Sequence, residues 1–259
     1  MIALVVAGFI VGIAVGATGV GGGALMTPIL IIVFGISPSV AVGTDLLFAT
    51  GTKGFGVFLH RKVGSVRWPI VARLASGSIP ASLATIYWLD SVGMTPEIES
   101  LIKTSLGVAV AATALGVLLK AGLSKVALGG DLSALRAIHE KFRTPATVLG
   151  GLALGVLVTL SSVGAGVIGA TLLLILYPRL RAMEVVGTDL AHAVPLTLIA
   201  GLGHMHLGTT DYSMLGFLLI GSLPGIYLGT RLGIKLPDKV VKNGIAVMLL
   251  IIGISMFFT

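Results

Sequence analysis

Two segments of the chain are identical, and each carries a carboxylate where a carboxylate is costly. Val42-Gly43-Thr44-Asp45-Leu46 recurs as Val186-Gly187-Thr188-Asp189-Leu190, and both lie in apolar runs. An ionisable side chain in such a run marks a functional position when the run spans a membrane. Two roles fit Asp45 and Asp189. One is to exchange a proton or pair with a cation. The other is capping, with Thr44 or Asp45, and by repetition Thr188 or Asp189, accepting backbone N–H groups at a helix start. Lys53 follows Asp45 by about two helical turns and stands alone among Lys and Arg near the middle of a predicted span. Its ammonium would neutralise an anion or pair with Asp45 or Asp189. His192 lies three residues after Asp189 and shares its helix face, a pairing suited to proton exchange. Pro195 then removes a helix hydrogen bond to the Ala191 carbonyl. Thr44, Asp45, Thr188, Asp189 and His192 are therefore candidates for coupling or helix positioning.

Two glycine-rich stretches supply the second constellation. They are Gly16-Ala17-Thr18-Gly19-Val20-Gly21-Gly22-Gly23 and Thr159-Leu160-Ser161-Ser162-Val163-Gly164-Ala165-Gly166. Each glycine in a continuous helix costs about 1 kcal/mol, which favours a break. Broken backbone at membrane depth is tolerated only beside protein or water. A helix restarting after the break aims its N–H groups and positive dipole end at it, a ready site for an anion. The expected substrate-binding set is Thr18, Gly19, Gly21, Gly22, Gly23, Lys53, Ser161, Ser162, Gly164, Ala165 and Gly166. The alternative reading of the glycines is close packing between helices.

Other polar residues read more plainly. His60, His204 and His206 lie near span ends and are expected at the interface or in loops. Without a nearby carboxylate set, His204 and His206 make a weak metal site, and none is expected. Arg73 and Arg231 suit snorkelling, and Trp68, Tyr212, Tyr87 and Trp88 suit aromatic belts. Nucleotide-binding loops, dinucleotide fingerprints, nucleophile elbows and zincin motifs are absent from the sequence, so no cofactor is expected.

The elements that hold these residues must live in a bilayer. Only 10% of the 259 residues are charged, and the mean hydropathy is +1.09. Ordinary soluble domains carry about 25% charged residues. The net charge of +7 comes from basic residues in short segments between apolar runs, which is topology control and excludes nucleic acid as a partner. Zero cysteines exclude disulfides and thiolate chemistry. The N-terminal apolar run lacks a basic lead and a cleavage site, and reads as part of the membrane domain.

A span needs about 20 apolar residues. Apolar runs occupy 2–34, 42–59, 68–89, 101–119, 147–177, 185–202, 213–234 and 243–258. The polar stretch 120–144 divides them, giving a first repeat at 1–120, a cytoplasmic linker at 121–146 and a second repeat at 147–259. Residues 132–142 read as a short amphipathic surface helix. At a shift of 144 positions, His60 meets His204, Gly64 meets Gly208, Trp68 meets Tyr212, and Gly77-Ser78-Ile79-Pro80 meets Gly221-Ser222-Leu223-Pro224. With a one-residue gap, Val20-Gly21-Gly22-Gly23 meets Val163-Gly164-Ala165-Gly166. Internal repeats of this kind are common in secondary transporters.

Loop charges orient the halves. Loop 60–67 is basic and its partner 203–211 has no Lys or Arg; loop 90–99 is acidic and its partner 235–242 is basic; loop 35–41 is uncharged and its partner carries Arg179 and Arg181. The basic member alternates between halves, so the repeats are expected to be inverted. Inversion requires an odd number of crossings per half, so runs 2–34 and 147–177 become hairpins that turn within the membrane. The expected fold is an all-α integral membrane protein of two inverted repeats, each a glycine-broken helical hairpin plus three transmembrane helices. One long tilted crossing per run, with eight spans and parallel repeats, is the alternative.

The glycine-rich first run ending Gly19-Val20-Gly21-Gly22-Gly23, Val42 to Leu46, His60…Gly64-Ser65-Val66-Arg67-Trp68, Gly77 to Pro80 and their second-half echoes resemble the TauE/SafE family of sulfite and organosulfonate exporters, also called TSUP permeases. The resemblance covers nearly the whole chain. The chain departs from it at Asp45 and Asp189, where Ser is frequent, and at Arg67, where an acidic residue is frequent and which Asp211 retains in the second half. The resemblance implies a multi-pass protein of the bacterial inner (plasma) membrane that moves sulfite, sulfoacetate or other sulfonates. The expected function is thus a secondary transporter for a small anion, with proton coupling as one option. A passive anion channel and a membrane-embedded enzyme acting through Asp189 and His192 are the alternatives, and duplication speaks against the enzyme.

Overall fold

The computed structural model describes residues 1–18, 23–60, 66–126 and 133–233. Among these, every regular element is an α-helix: α1 (Ile2–Thr18), α2 (Gly23–Ile32), α3 (Pro38–His60), α4 (Trp68–Val92), α5 (Pro96–Val126), α6 (Ser133–Ser161), α7 (Val167–Leu176), α8 (Ala182–His206) and α9 (Tyr212–Gly233). Five of them, α4, α5, α6, α8 and α9, contain stretches long and apolar enough to cross a membrane. Trp68, Tyr87, Trp88 and Tyr212 are exposed at helix ends, as a belt requires. The run 243–258 lies outside the described residues.

The second of the two long first runs is broken, while residues 19–22 of the other lie outside the described residues. α1 stops at Thr18 and α2 starts at Gly23; α6 stops at Ser161 and α7 starts at Val167. The short second members, α2 and α7, have 10 residues each, about half of a span. The helix expected at 132–142 is built differently: residues 133–142 are not a separate surface helix but the front of α6, which continues from Ser133 to Ser161. No glycine interrupts 133–148, and Pro145 removes only one backbone donor from a helix otherwise free to propagate.

Two glycine seams carry the packing. Lipid tails are as apolar as Leu, so helices in a bilayer associate through close contact rather than through exclusion of water. Along α1 and α9, Gly8 and Gly12 face the carbonyls of Leu218 and Ser222, while Gly221, Gly225 and Gly229 face those of Val5, Phe9 and Ile13. Along α6 and α4, Gly151 and Gly155 face the carbonyls of Leu74 and Ser78, and Gly77 faces that of Val148. A Cβ at any of these glycines would overlap the facing oxygen. The second seam reproduces the first with the halves exchanged: α1 meets the second-half counterpart of α4, and α6 meets α4 itself.

α3 and α8, which carry the repeated Gly-Thr-Asp segments, pack on each other at the centre. Gly43 lies against His204 and Thr209, Leu47 against Gly201, and Thr50 Oγ1 donates to Thr197 Oγ1 at 3.0 Å. Numbers rise along one helix as they fall along the other, so the two equivalent helices run antiparallel.

Candidate functional site

The second break shows how its sequence makes a turn inside the bundle. Ser161 Oγ donates back to the Leu157 carbonyl at 2.6 Å and accepts from Val163 N at 3.2 Å, ending α6 with its own hydroxyl. The chain then passes through three left-handed residues, Ser162 (φ 57°), Gly164 (φ 122°) and Gly166 (φ 142°). Glycine admits such angles freely; Ser162 does not and is held there by its surroundings. α7 restarts with Gly169 N donating to the Gly164 carbonyl and Ala170 N to that of Gly166, each at 3.0 Å.

Lys53 reaches this break from α3. Its side chain is fully buried, and Nζ donates to the Ala165 carbonyl at 2.6 Å. An exposed backbone carbonyl is what a break leaves over, and an ammonium satisfies it while keeping further donors. The charged neighbours of that ammonium are the carboxylates of Asp45 and Asp189. Asp45, two turns before Lys53 on α3, accepts from Thr27 Oγ1 on α2 and has the Ser162 hydroxyl of the break as its other polar neighbour. Asp189 on α8 sets Oδ1 against the Cα of Gly169, where a Cβ would collide with it. His192, one turn on, is buried with Nε2 2.8 Å from Ser78 Oγ of α4, and Lys53 is its charged neighbour.

The structure thus brings Asp45, Lys53, Ser162, Ala165, Asp189 and His192 together from α3, α8 and the second break. Gly164 and Gly166 shape that break. Ser161 lies at its edge with its hydroxyl engaged by backbone, so it ends a helix rather than facing a ligand. Thr18 ends α1 and Gly23 begins α2, while Gly19, Gly21 and Gly22 lie outside the described residues.

Thr44 and Thr188 do something else, and do it as a pair. Thr44 Oγ1 accepts from the backbone N of Asp211, and Thr188 Oγ1 from that of Arg67, both at 3.0 Å. Arg67 and Asp211 are the residues just before α4 and α9. Each threonine therefore binds the helix entry of the opposite half. These bonds join the halves and do not cap the threonines' own helices, because Gly-Thr-Asp lies inside α3 and α8.

Sequence reasoning missed several partners. Thr27 and Ser78 sit in apolar helices with no repeated motif to flag Thr27. His204 was expected at an interface, yet it is fully buried, with Nε2 2.9 Å from the Thr159 carbonyl and Nδ1 2.8 Å from Thr209 Oγ1. A span-end position predicts depth along a helix but not which side faces protein. His206 does lie at the surface, 3.9 Å from Asp90. Arg73 reaches Tyr177, and Arg231 covers the ring of Tyr227 at 4.4 Å. Among the described residues, no cluster of His, Asp and Glu is suited to a metal ion. An apolar groove of about 480 Å³ lies elsewhere, between α4, α5 and α6, lined by Trp88, Leu101, Leu152 and Val156 among others, and holds none of the clustered residues.

Comparison with known proteins agrees with a transport architecture. No solved structure matches the chain. It is 34% identical over 256 residues to the probable membrane transporter protein YjnA of Bacillus subtilis (strain 168), covering 98% of this chain and 99% of the relative. It is 29% identical over 260 residues to the probable membrane transporter protein MJ0441 of Methanocaldococcus jannaschii, covering 95% and 90%. A second Bacillus subtilis protein, the probable membrane transporter protein YdhB, is 27% identical over 252 residues, covering 96% and 97%. The family model described as sulfite exporter TauE/SafE matches residues 4–256. Multiple apolar helices, a buried polar cluster at a helix break and a match along nearly the whole length lead to one conclusion: the chain is a multi-pass membrane transporter, not an enzyme, and belongs to the TauE/SafE sulfite exporter family.

Proposed function

We propose that the chain is a secondary transporter that moves small sulfur-containing anions, such as sulfite, sulfoacetate or other organosulfonates, across the bacterial inner membrane with proton coupling. One observation carries the reading: a fully buried lysine donates to a carbonyl of a broken backbone at the meeting point of the two halves. A buried ammonium with donors to spare suits an oxyanion with three oxygens. The restarting helix α7 adds backbone N–H groups and a positive dipole end. Asp45, Asp189 and His192 stand beside it as the coupling groups.

The proposed transport unit is a pair of inverted repeats, 1–120 and 147–259, joined by a cytoplasmic linker at 121–146. Support comes from α3 and α8, equivalent by sequence and antiparallel in space, and from the two reciprocal threonine bonds. Reciprocal contacts are those of a two-fold relation, and antiparallel equivalents put that axis in the membrane plane. The basic loops 60–67, 177–181 and 235–242 then all face the cytoplasm.

The test is a thermal-shift screen of purified protein against sulfite and a panel of sulfonates, followed by uptake into proteoliposomes under an imposed proton gradient. Binding without gradient-driven accumulation would favour a passive channel. No stabilisation by any of these anions would overturn the substrate class.

A further inference from the structure

The seam between α4 and α6 ends, on the side that faces the cytoplasm in the proposed topology, in two guanidiniums. Arg73 stands on α4 just outside the contact of Gly77 with the Val148 carbonyl, and Arg143 stands on α6 just before that valine. Both converge on Tyr177, the residue that ends α7. Arg73 Nη1 donates to the Tyr177 hydroxyl at 3.5 Å, the long limit of a hydrogen bond. The Arg143 guanidinium lies over the ring, 5.1 Å from its centre. Thr147 Oγ1 donates to the Arg143 carbonyl at 2.6 Å, so in its 2.9 Å contact with Tyr177 the phenol donates. The phenol oxygen is thereby left to accept from Arg73.

Neither contact answers the charge, because a ring face and a phenol oxygen are neutral partners. Among the described residues no carboxylate pairs with Arg73 or Arg143, and Glu184 on the same side is taken by Arg67 and Arg181. Nε of Arg143 is buried and donates to nothing. A guanidinium is a planar fork of N–H donors that matches a pair of oxyanion oxygens. Depth narrows the choice of oxyanion. Arg143 is the second residue of the apolar stretch Phe142–Ser161. Arg73 lies five residues after the first residue of α4, about 7.5 Å along the axis. The headgroup region is about 5–7 Å deep on each side of the hydrocarbon. Phe142 and Leu149 of α6 are exposed, so apolar surface for acyl chains adjoins the cations. In the repeat register Arg73 corresponds to Phe217, Tyr177 to Phe34 and Thr147 to Leu4, so the counterpart at the other face has neither this cation nor these hydroxyls. The cytoplasmic surface of a membrane is the negative one, and basic pockets between spanning helices on that side suit anionic headgroups.

We propose that Arg73 and Arg143, held on Tyr177, bind the headgroup phosphate of an anionic phospholipid whose acyl chains run along Phe142 and Leu149. The phosphate supplies the negative charge that no nearby carboxylate does. A zwitterionic lipid brings the same phosphate together with an ammonium, which the second guanidinium repels. Tyr177 caps the end of α7, and α7 starts at the second break, so the lipid holds the far end of the helix that follows the carbonyl partner of Lys53. The site stands apart from the anion reading at Lys53; only its leaflet rests on the proposed topology.

The test uses the purified full chain, delipidated in detergent, with phosphatidylglycerol or phosphatidylcholine added back. Saturating phosphatidylglycerol is expected to raise the melting temperature by about 5 °C or more over phosphatidylcholine. Arg73→Gln and Arg143→Gln are each expected to weaken phosphatidylglycerol retention, read by native mass spectrometry, about fivefold, the worth of one basic residue at an anionic surface. Arg231→Gln removes a charge that lies over Tyr227, outside the cluster, and is expected to keep the wild-type lipid response. Glycerol 3-phosphate carries the headgroup charge without acyl chains and is expected to leave the melting temperature unchanged. Stabilisation by it equal to that by phosphatidylglycerol would overturn the lipid in favour of a soluble anion. Equal response of the wild type to the two lipids, or a loss in Arg231→Gln as large as that in Arg143→Gln, would overturn the site. Should a glutamine variant fail to fold, lysine at that position keeps the charge without the planar fork, and a smaller loss is expected. Wild-type retention in both Arg73→Lys and Arg143→Lys would then overturn the assignment to these two guanidiniums.

Discussion

The two halves agree where they hold each other and differ where chemistry is expected. Gly8, Gly12 and Gly221 in one seam are matched by Gly151, Gly155 and Gly77 in the other, and Thr44 to Asp211 is matched by Thr188 to Arg67. The polar centre breaks this equality. Lys53 corresponds to Thr197, and His192 corresponds to Phe48, so the first half supplies the cation and the second the imidazole.

The comparison is most easily broken at the seams. Gly12→Leu and Gly155→Leu both force a side chain into a facing backbone carbonyl, which cannot rotate aside. Each is expected to destabilise by the upper part of the about 1–3 kcal/mol range for overpacking. Thermal unfolding in detergent should drop alike for both. A large drop in one alone would show that the seams are not equivalent.

At the centre, the halves should respond unequally. Lys53→Ala is expected to weaken sulfonate binding by about ten- to a hundredfold, the worth of one or two charged hydrogen bonds. Thr197→Ala, at the corresponding position, is expected to leave affinity within about twofold. Equal losses in the two, measured by calorimetric titration, would refute the assignment of the cation to one half.

The threonine ties should again behave as twins. Thr44→Val and Thr188→Val each leave a backbone N–H without its acceptor, a cost of about 1–3 kcal/mol when the group is buried. Their melting temperatures should fall by similar amounts. The smallest effect is expected at Arg67→Ala, which removes a 2.5 Å ion pair to Glu184 whose arginine side chain is 56% exposed. Such pairs contribute about 0–1 kcal/mol, and salt should erase the difference from wild type. A larger loss that persists in high salt would mean that the pair, which has no twin in the other half among the described residues, holds Arg67 N against Thr188.

Much of this arrangement was legible in the sequence because its signals are local. Glycine clusters marked the second break at 159–166, and the chain turns at 162–166. The register of the repeat, read from identical pentapeptides, pairs the residues that proved to be reciprocal in packing. Lys53 stood out because an ammonium within an apolar run is costly and is kept there only beside a partner or a ligand. Thr27, Ser78 and the burial of His204 did not, because a Thr, Ser or His in an apolar helix serves equally well facing lipid headgroups, its own backbone or another helix. Nor did the pattern of 132–142 reveal that α6 continues through it, since amphipathicity reports a helix's faces and not its ends.

By itself, the sequence determined that this chain lives in a bilayer, that its Val-Gly-Thr-Asp-Leu segment recurs and where the second break falls, because hydropathy, repetition and glycine content act through neighbouring residues. Only the tertiary structure decided that Thr44 and Thr188 tie opposite halves together, that Ser161 is used up in closing a helix, and that Asp45, Lys53 and Ser162 meet. Most of those contacts join residues more than a hundred positions apart, and their formation depends on how whole helices pack, which short-range pattern does not encode.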